Sequence, residues 1–194
     1  MDLPIFSSSN YNKYLEIRSI LQSSGVNLEF CELKLNEIQS DSIGEIAFEK
    51  SISAYKQLYR PVIVEDDGLF IDELNGFPGQ YSSYVYKTIE NKGILKLLRN
   101  AASRSAVFKS VFVFYDGKNY KIFNGERRGR ISCTITYGGW GYDPIFIPDG
   151  SRLSFGQLHL LNRKIEFSHR AVGLRKFVEW YIRRLKLGDD MLKG

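Results

Sequence analysis

The chain has 194 residues, 43% of them hydrophobic and 14% aromatic, and its formal net charge is +5. This composition excludes an intrinsically disordered chain and is enough to bury a core, so we expect residues 1–194 to form a single domain. No apolar run approaches the roughly 20 residues of a membrane-spanning helix, and the N-terminus lacks the basic and apolar segments of a secretory signal.

Two cysteines, Cys31 and Cys133, lie far apart, with no spacing typical of a metal site or a disulfide framework. The chain has only two histidines, which disfavours a histidine-rich zinc site. We therefore predict a reducing, cytoplasmic location. The positive net charge permits a polyanionic ligand but does not require one.

The first predicted elements are a strand over residues 3–7 and a helix that ends near Gly25. Ser9 and Asn10 precede this helix, and both residue types are favoured at helix N-termini. A strand, a polar turn and a helix N-terminus form a natural anion site, in which Lys13 would reach a phosphate. Ordinary capping with an exposed lysine fits the same pattern.

Residues 26–35 alternate well enough to predict a second strand, and Glu37 follows at its end. Ser42 and Glu45 have the spacing of a capping box, which predicts a helix that begins near residue 43. Lys50 lies on this helix. As single residues, Glu37 and Lys50 also fit a surface acid and a solvated lysine.

A short apolar run over residues 61–64 ends in three acids, Glu65, Asp66 and Asp67. Adjacent carboxylates at the end of a buried strand are costly, because burial and mutual repulsion both oppose ionisation. A cation in the site would change that balance. The stretch predicts either a strand that delivers carboxylates into a cleft or a solvated acidic turn.

Further along, residues 89–98 predict a helix and residues 106–115 a strand. A turn then leads into residues 120–123, which predicts a β-hairpin, and residues 127–136 predict another strand. The glycine-rich loop over residues 138–144 carries Trp140, a flat stacking surface, although such loops are often plain turns with a packed aromatic.

The C-terminal segment has the clearest helical pattern, with apolar residues at positions 174, 177, 178, 181, 182 and 185. Ser168 is its predicted N-cap, which places His169 and Arg170 in the first turn. Basic residues there oppose the helix dipole unless an anion is present. The pattern indicates either an anion site or two side chains that point to solvent.

Several motifs occur in a specific order along the chain. They are Ser9-Asn10-x-x-Lys13, Glu65-Asp66-x-Gly68-Leu69, Gly76-x-Pro78-Gly79-x-Tyr81-Ser82, Gly139-Trp140-Gly141-Tyr142-Asp143-Pro144, and Lys164 with Ser168-His169-Arg170. In these motifs the chain closely resembles the inosine triphosphate pyrophosphatase family, also called Ham1-like, over roughly residues 5–180.

The resemblance implies a mixed α/β (α+β) fold: an elongated twisted mixed sheet flanked by helices, in two lobes with a central cleft. It implies hydrolysis of the purine nucleoside triphosphates ITP, dITP and XTP to the monophosphate and pyrophosphate, with Mg²⁺ as cofactor. It also implies a homodimer that clears deaminated purines from the nucleotide pool, without a nucleic-acid or membrane partner.

The resemblance also assigns residues. Asp66 matches the catalytic proton acceptor, and Glu37 and Asp66 match the metal-coordinating acids. Trp140 would stack on the purine, and His169 and Arg170 would meet the base edge and the phosphates. The positions that match substrate-contacting residues are Ser8, Ser9, Asn10, Lys13, Lys50, Asp67, Trp140, Gly141, Tyr142, Asp143, Lys164, His169 and Arg170.

The chain departs from the family pattern at a few positions. Asp67 stands where the family commonly has serine or threonine, which adds a carboxylate that would raise the proton affinity of the pair with Asp66 or bind a second metal. Trp140 replaces a common phenylalanine. Arg163 and Ile165 also differ from the usual neighbours of the lysine at position 164.

Two other functions fit parts of the sequence. A Maf-like pyrophosphatase acting on pyrimidine or modified nucleotides would keep the fold and change the substrate, but the motifs at 139–144 and 168–170 argue against it. A non-catalytic nucleic-acid-binding module would use the basic and aromatic residues. Against it, acidic residues lie in the middle of the motif set.

Overall fold

A computed structural model describes residues 4–22 and 24–191 of the chain, with side chains up to residue 186. The helices are Tyr11–Leu21 (α1), Ile43–Leu58 (α2), Ser82–Leu97 (α3), Phe155–Leu160 (α4), Lys164–Phe167 (α5) and His169–Met191 (α6). The strands are Ile5–Ser7 (β1), Glu29–Cys31 (β2), Val62–Ile71 (β3), Pro78–Gly79 (β4), Ser105–Tyr115 (β5), Tyr120–Ile131 (β6) and Phe146–Pro148 (β7). Leu3, the first residue of the first predicted strand, lies outside the described residues.

Within the described ranges, the strands form one mixed sheet in the order β2-β1-β3-β5-β6-β7, and β4 pairs with β3. β1 is parallel to β2 and β3, while the remaining pairs are antiparallel. The three central strands β3, β5 and β6 have 10, 11 and 12 residues, and β5 pairs with β3 on one side and with β6 on the other. The sheet and its flanking helices confirm the mixed α/β fold expected from the sequence.

One edge of β3 is paired only at its ends. Residues 5–6 of β1 pair with residues 62–63, and residues 78–79 of β4 pair with residues 69–70. Between these contacts, residues 64–68 have no strand partner on this edge among the described strands. The gap separates the half of the sheet next to β1 from the half next to β4.

The faces of the sheet carry separate apolar clusters, because successive side chains of a strand point to opposite sides. Val62 and Val64 pack under α2. On the other face, Ile63 packs with α1 and α6, and Leu69 packs with α3 and α4. Residues 65 and 67 therefore lie between two cores, at the level of the gap in the β3 edge.

The strand predictions were wrong at three boundaries. β3 does not end at the acids but continues to Ile71, because each of its residues pairs with β5. β6 is one strand from Tyr120 to Ile131, paired with β5 along its length, rather than a short return followed by a second strand. β2 is limited to residues 29–31 of the predicted 26–35.

The helix predictions were more accurate. α1, α2 and α6 begin where capping residues predicted, although Ser42 forms only half of a capping box. Its hydroxyl accepts from the Glu45 amide, while the Glu45 carboxylate accepts from Ser40. α3 begins seven residues before the predicted residue 89 and consists of two helical segments that meet at Glu90.

No helix among the described residues is long and apolar enough to cross a membrane.

β3 and β4 can approach each other closely because residue 68 is a glycine. A Cβ added to Gly68 would lie 2.3 Å from the carbonyl oxygen of Gly79, which is part of a backbone that cannot rotate away. We expect Gly68→Ala to lower the free energy of unfolding by about 2 kcal/mol or more in urea titrations. Gly44→Ala is the matched control, because it lies in the first turn of α2, where alanine should stabilise the helix by up to about 1 kcal/mol. Equal effects of the two substitutions would contradict the close approach.

Candidate active site

A cavity of about 560 Å³ opens at the unpaired edge of β3. Its walls come from the N-terminus of α1, the loop before α2, the middle of β3, the start of α3, the loop before β7 and the start of α6. The predicted site residues that line it are Ser8, Ser9, Asn10, Lys13, Glu37, Lys50, Asp66, Asp67, Trp140, Gly141, Tyr142, Asp143, His169 and Arg170. The structure thus brings together all the predicted site residues except Lys164, which lies behind this wall.

Asp66 points to the face of the sheet that α2 covers. The Lys50 ammonium from α2 lies 3.0 Å from Asp66 Oδ1 and 2.7 Å from Glu37 Oε1. Burial raises the pKa of the Asp66 carboxyl, although the nearby lysines 13 and 50 oppose that shift. Two carboxylates from different elements therefore converge on one point in the cavity wall, where a cation already lies.

Glu65 and Asp67 point to the opposite face, toward α1 and α6. Lys13 Nζ lies 2.7 Å from Glu65 Oε2 and also contacts Asp67. The Arg170 guanidinium lies 3.0 Å from Glu65 Oε1 and 2.7 Å from Asp67 Oδ2. Burial disfavours the charge on Asp67, but Arg170 and Lys13 outweigh it and hold its pKa well below the usual range. The expectation that Asp67 raises the proton affinity of the pair holds for Asp66, whose pKa is raised by burial and in part by the charge of Asp67, but not for Asp67 itself, whose charge is compensated by two cations.

His169 and Arg170 do not point to solvent. Both are buried, and the His169 ring stacks on Phe108 with ring centres 4.7 Å apart. Burial, and then the charge of Arg170, lowers the pKa of His169, so the imidazole is neutral near pH 7. The anions that compensate the basic first turn of α6 are carboxylates of the chain itself.

Sequence reasoning missed Glu16, which links three helices. Its Oε2 lies 3.0 Å from Lys164 Nζ and 3.2 Å from Arg170 Nη1, and its Oε1 accepts a 2.7 Å hydrogen bond from Ser168. Burial opposes the charge, but Lys164 and Arg170 lower the pKa of Glu16 far below its usual value. The available signal was its position three residues after Lys13, which puts both side chains on one face of α1.

Asp143 fixes the loop that carries Trp140. Its Oδ2 accepts hydrogen bonds from the Trp140 amide at 3.1 Å and from Lys164 Nζ at 2.8 Å. The Trp140 ring lies beside two cations, with Arg170 and Lys164 at 4.9 and 5.4 Å from its centre. Lys164 therefore supports the loop from behind.

Two predicted contact residues have structural partners on α3. The Tyr142 hydroxyl donates to the Ser82 carbonyl at 3.0 Å and is buried. The Gly141 carbonyl accepts from Asn91 Nδ2 at 3.0 Å. These two hydrogen bonds fix the position of residues 141 and 142 in the cavity wall, and the Tyr142 hydroxyl already donates its proton to the Ser82 carbonyl.

The N-terminus of α1 shows the capping that was one of the two alternatives. Asn10 Oδ1 accepts from the amides of Asn12 and Lys13, and Ser8 Oγ accepts from the Asn10 amide. Lys13, however, is not exposed: its ammonium lies in the cavity wall against the carboxylates of β3. The capping residues and a lysine that faces the cavity therefore occur in the same turn.

Two groups of side chains in the cavity offer ligand atoms for a divalent cation. Glu65, Asp67 and His169 place ligand atoms within 4.8 Å of one another, but Lys13 and Arg170 already neutralise both acids. Residues 37 and 66 converge on a single ammonium and include an exposed carboxylate. Carboxylate oxygens suit hard cations, so the second group fits a divalent metal better.

Glu16→Gln removes a buried charge that balances Lys164 and Arg170. We expect it to lower the free energy of unfolding by about 3 kcal/mol near pH 7, because two buried cations lose a partner. Since the folded state lowers the pKa of Glu16, its stabilisation is present above the unfolded pKa of about 4.3 and is lost as the pH falls. Urea titrations from about pH 7 to about pH 3 should therefore show that the difference in free energy of unfolding between the wild-type protein and Glu16→Gln becomes smaller as the pH falls. Glu49→Gln, at an exposed position, is the control. If the destabilisation caused by Glu16→Gln did not change with pH, the pairing of Glu16 with Lys164 and Arg170 would be contradicted.

Comparisons with known proteins agree with this geometry. The chain matches the model of the Ham1 family over residues 4–180. A dITP/XTP pyrophosphatase of Korarchaeum cryptofilum is 42% identical over 188 residues, covering 97% of this chain and 99% of the relative. That of Methanopyrus kandleri is 46% identical over 179 residues, covering 91% and 95%. The structure of a HAM1 protein from Coxiella burnetii has a TM-score of 0.79 at 25% identity and covers 94% of this chain and all of that one. The chain belongs to the Ham1 family.

Proposed function

We propose that this chain hydrolyses deaminated purine nucleoside triphosphates (ITP, dITP and XTP) to the nucleoside monophosphate and pyrophosphate. The observation that carries the proposal is the single cavity that joins a buried carboxylate, Asp66, with several cationic side chains and the Trp140 ring. Relatives named dITP/XTP pyrophosphatase, similar over more than 90% of the chain, support the same reaction.

The cationic wall suits a triphosphate. A nucleoside triphosphate carries about four negative charges, and the positive end of the α1 helix dipole together with Lys13 and Lys50 offers complementary positive charge. In the free site these lysines are paired with carboxylates of β3 and with Glu37. Phosphate oxygens would take over those cations, so the ligand replaces internal ion pairs and does not enter a bare cluster of charge.

We assign Mg²⁺ as the cofactor, held by Glu37 and Asp66. When bound, Mg²⁺ neutralises phosphate charge and polarises the phosphorus that is attacked. We also assign Asp66 as the group that accepts a proton from the attacking water. Its carboxylate lines the cavity and lies beside the Lys50 ammonium, so it can accept a proton from a water in the cavity.

The base-binding end of the cavity combines a ring with hydrogen-bond donors. Trp140 offers a face for stacking, and Arg170, which has only donors, lies beside it. The neutral imidazole of His169 has one further donor. A 6-keto oxygen would accept a hydrogen bond from His169, whereas the 6-amino group of adenine would leave that buried donor unpaired, at a cost of several kcal/mol.

The wider biological setting follows from the same assignment. We propose a single domain over residues 1–194 that acts in the cytoplasm as a homodimer and removes damaged nucleotides from the pool. Membership of the Ham1 family supports this proposal. The free thiols of Cys31 and Cys133 suit a reducing compartment.

Asp66→Asn tests the proton acceptor and the metal ligand together. We expect it to lower magnesium-dependent pyrophosphate release from ITP by at least about 1,000-fold, because the amide neither accepts the proton nor carries the charge that binds the cation. The assay compares both proteins with magnesium and with EDTA. Asp72→Asn, at an exposed acid just beyond β3, should retain wild-type turnover. Full activity of the residue-66 variant would overturn both assignments.

Substrate selectivity tests the base-binding end. We expect kcat/KM for ITP, dITP or XTP to exceed that for ATP by about 100-fold or more, because adenine leaves a buried donor unpaired. The measurement is pyrophosphate release over a panel of standard and deaminated nucleotides. Comparable turnover of ITP and ATP would show that the cavity does not read the 6-keto group.

A further inference from the structure

We propose that Asn91 is a positioning residue for the cavity wall at Trp140 and Gly141, and that the backbone break at Glu90 sets Asn91 in place. Asn91 is not among the residues that line the cavity. Its effect on substrate binding rests on the proposed function, whereas its effect on the position of the Trp140 ring does not.

The contact between Asn91 and Gly141 joins segments 50 positions apart. Asn91 is 7% exposed, and its Nδ2 donates to the Gly141 carbonyl at 3.0 Å. Its Oδ1 is buried without a hydrogen-bond partner among the described residues. A buried polar atom without a partner costs stability, so an apolar side chain of similar size would serve packing better. The polar side chain at this position is explained by the single bond it makes to the wall.

The backbone at Glu90 has a conformation that favours glycine. Its φ and ψ of 53° and −167° divide α3 into two helical segments. Residues with a Cβ rarely adopt this conformation, and such outliers occur preferentially at functional sites. Gly93 lets the segments meet closely, since a Cβ there would lie 2.4 Å from Ile89 Cβ. The break lets Asn91 begin the second segment, where its amide reaches Gly141.

The first helical segment of α3 contacts Tyr142, the residue that follows Gly141 in the cavity wall. The Tyr142 hydroxyl donates to the Ser82 carbonyl, and the Tyr142 ring packs edge-to-face on Tyr86 with ring centres 5.4 Å apart. Both segments of α3 thus hold consecutive residues of the wall, 141 and 142. The opposite side is held through Asp143 and the lysine of α5. Trp140 directly precedes Gly141, and its amide donates to Asp143, so the Asn91 bond to Gly141 constrains the angle at which the Trp140 ring faces the cavity.

Asn91→Leu tests the positioning role, because leucine keeps the branching of the side chain and removes both the donor and the unpaired oxygen. We expect KM for ITP to rise about three- to tenfold while kcat changes less than about twofold, since the groups around Asp66 are unaffected. We expect Tm to stay equal or rise. Asn100→Leu, at an exposed asparagine just beyond α3, is the matched control and should leave KM unchanged.

A measurement without substrate separates this proposal from the proposed function. In a Trp180→Phe background, fluorescence comes from Trp140, and we expect Asn91→Leu to increase its quenching by acrylamide. If the wild-type protein released no pyrophosphate, the proposed function would fail and the quenching result would still decide the positioning role. Unchanged KM and unchanged quenching in the leucine variant would overturn the proposal, as would an equal rise of KM in the control variant.

The break at Glu90 has its own pair of variants. Glu90→Gly should raise Tm by about 2 °C or more with KM unchanged, because glycine adopts the same backbone angles without a Cβ. Glu90→Ala keeps the Cβ and should show no such gain. Equal Tm values for the two variants would show that the backbone does not adopt this conformation at residue 90, and the proposed placement of Asn91 would be wrong.

Discussion

The buried guanidinium of Arg170 is the interaction on which the site depends. It is 2% exposed and lies against carboxylates from two other elements, Glu16 on α1 and the pair 65 and 67 on β3. A buried charge without partners costs several kcal/mol, so α6 can dock here only if α1 and β3 are both in place. The docking of three elements and the assembly of the cavity are therefore one event.

The alternation of side chains along β3 makes the adjacent acids tolerable. A continuous strand sends Asp66 to the α2 face and its two acidic neighbours to the α1 and α6 face, so each face supplies its own cations. Repulsion among the three acids is therefore weaker, because Asp66 is compensated by cations on one face and Glu65 and Asp67 by cations on the other. The same alternation separates the proposed roles, since one face holds the proton acceptor and the other holds the helix termini.

Much of the fold and most of the cavity could be predicted from the sequence. Motifs identified the family, and capping residues gave the starts of α1, α2 and α6. The boundaries of β3 and β6 could not be predicted, because pairing with β5 extends both strands through polar residues that have weak local strand preference. Local patterns describe neighbours in the chain, whereas these strands are set by neighbours across the sheet.

The site residues divide in the same way. Those in motifs, such as Asp66 and Trp140, were predicted to lie at the cavity, and they do. Glu16 and Asn91 were missed because their partners are 148 and 50 positions away and no local signature marks them. Lys164 was identified by its spacing to Ser168, but only the structure shows that it lies behind the wall.

The unpaired stretch of β3 over residues 64–68 has a consequence for solubility. An open strand edge is a template on which another chain can add a strand and begin to aggregate. Here the gap is only about 17 Å long, because β1 and β4 close its two ends. Charged side chains line both faces of the gap, and an incoming strand would have to bury them. The opening is therefore accessible to a small ligand while resisting strand addition, which lets the protein keep a broken sheet edge in solution.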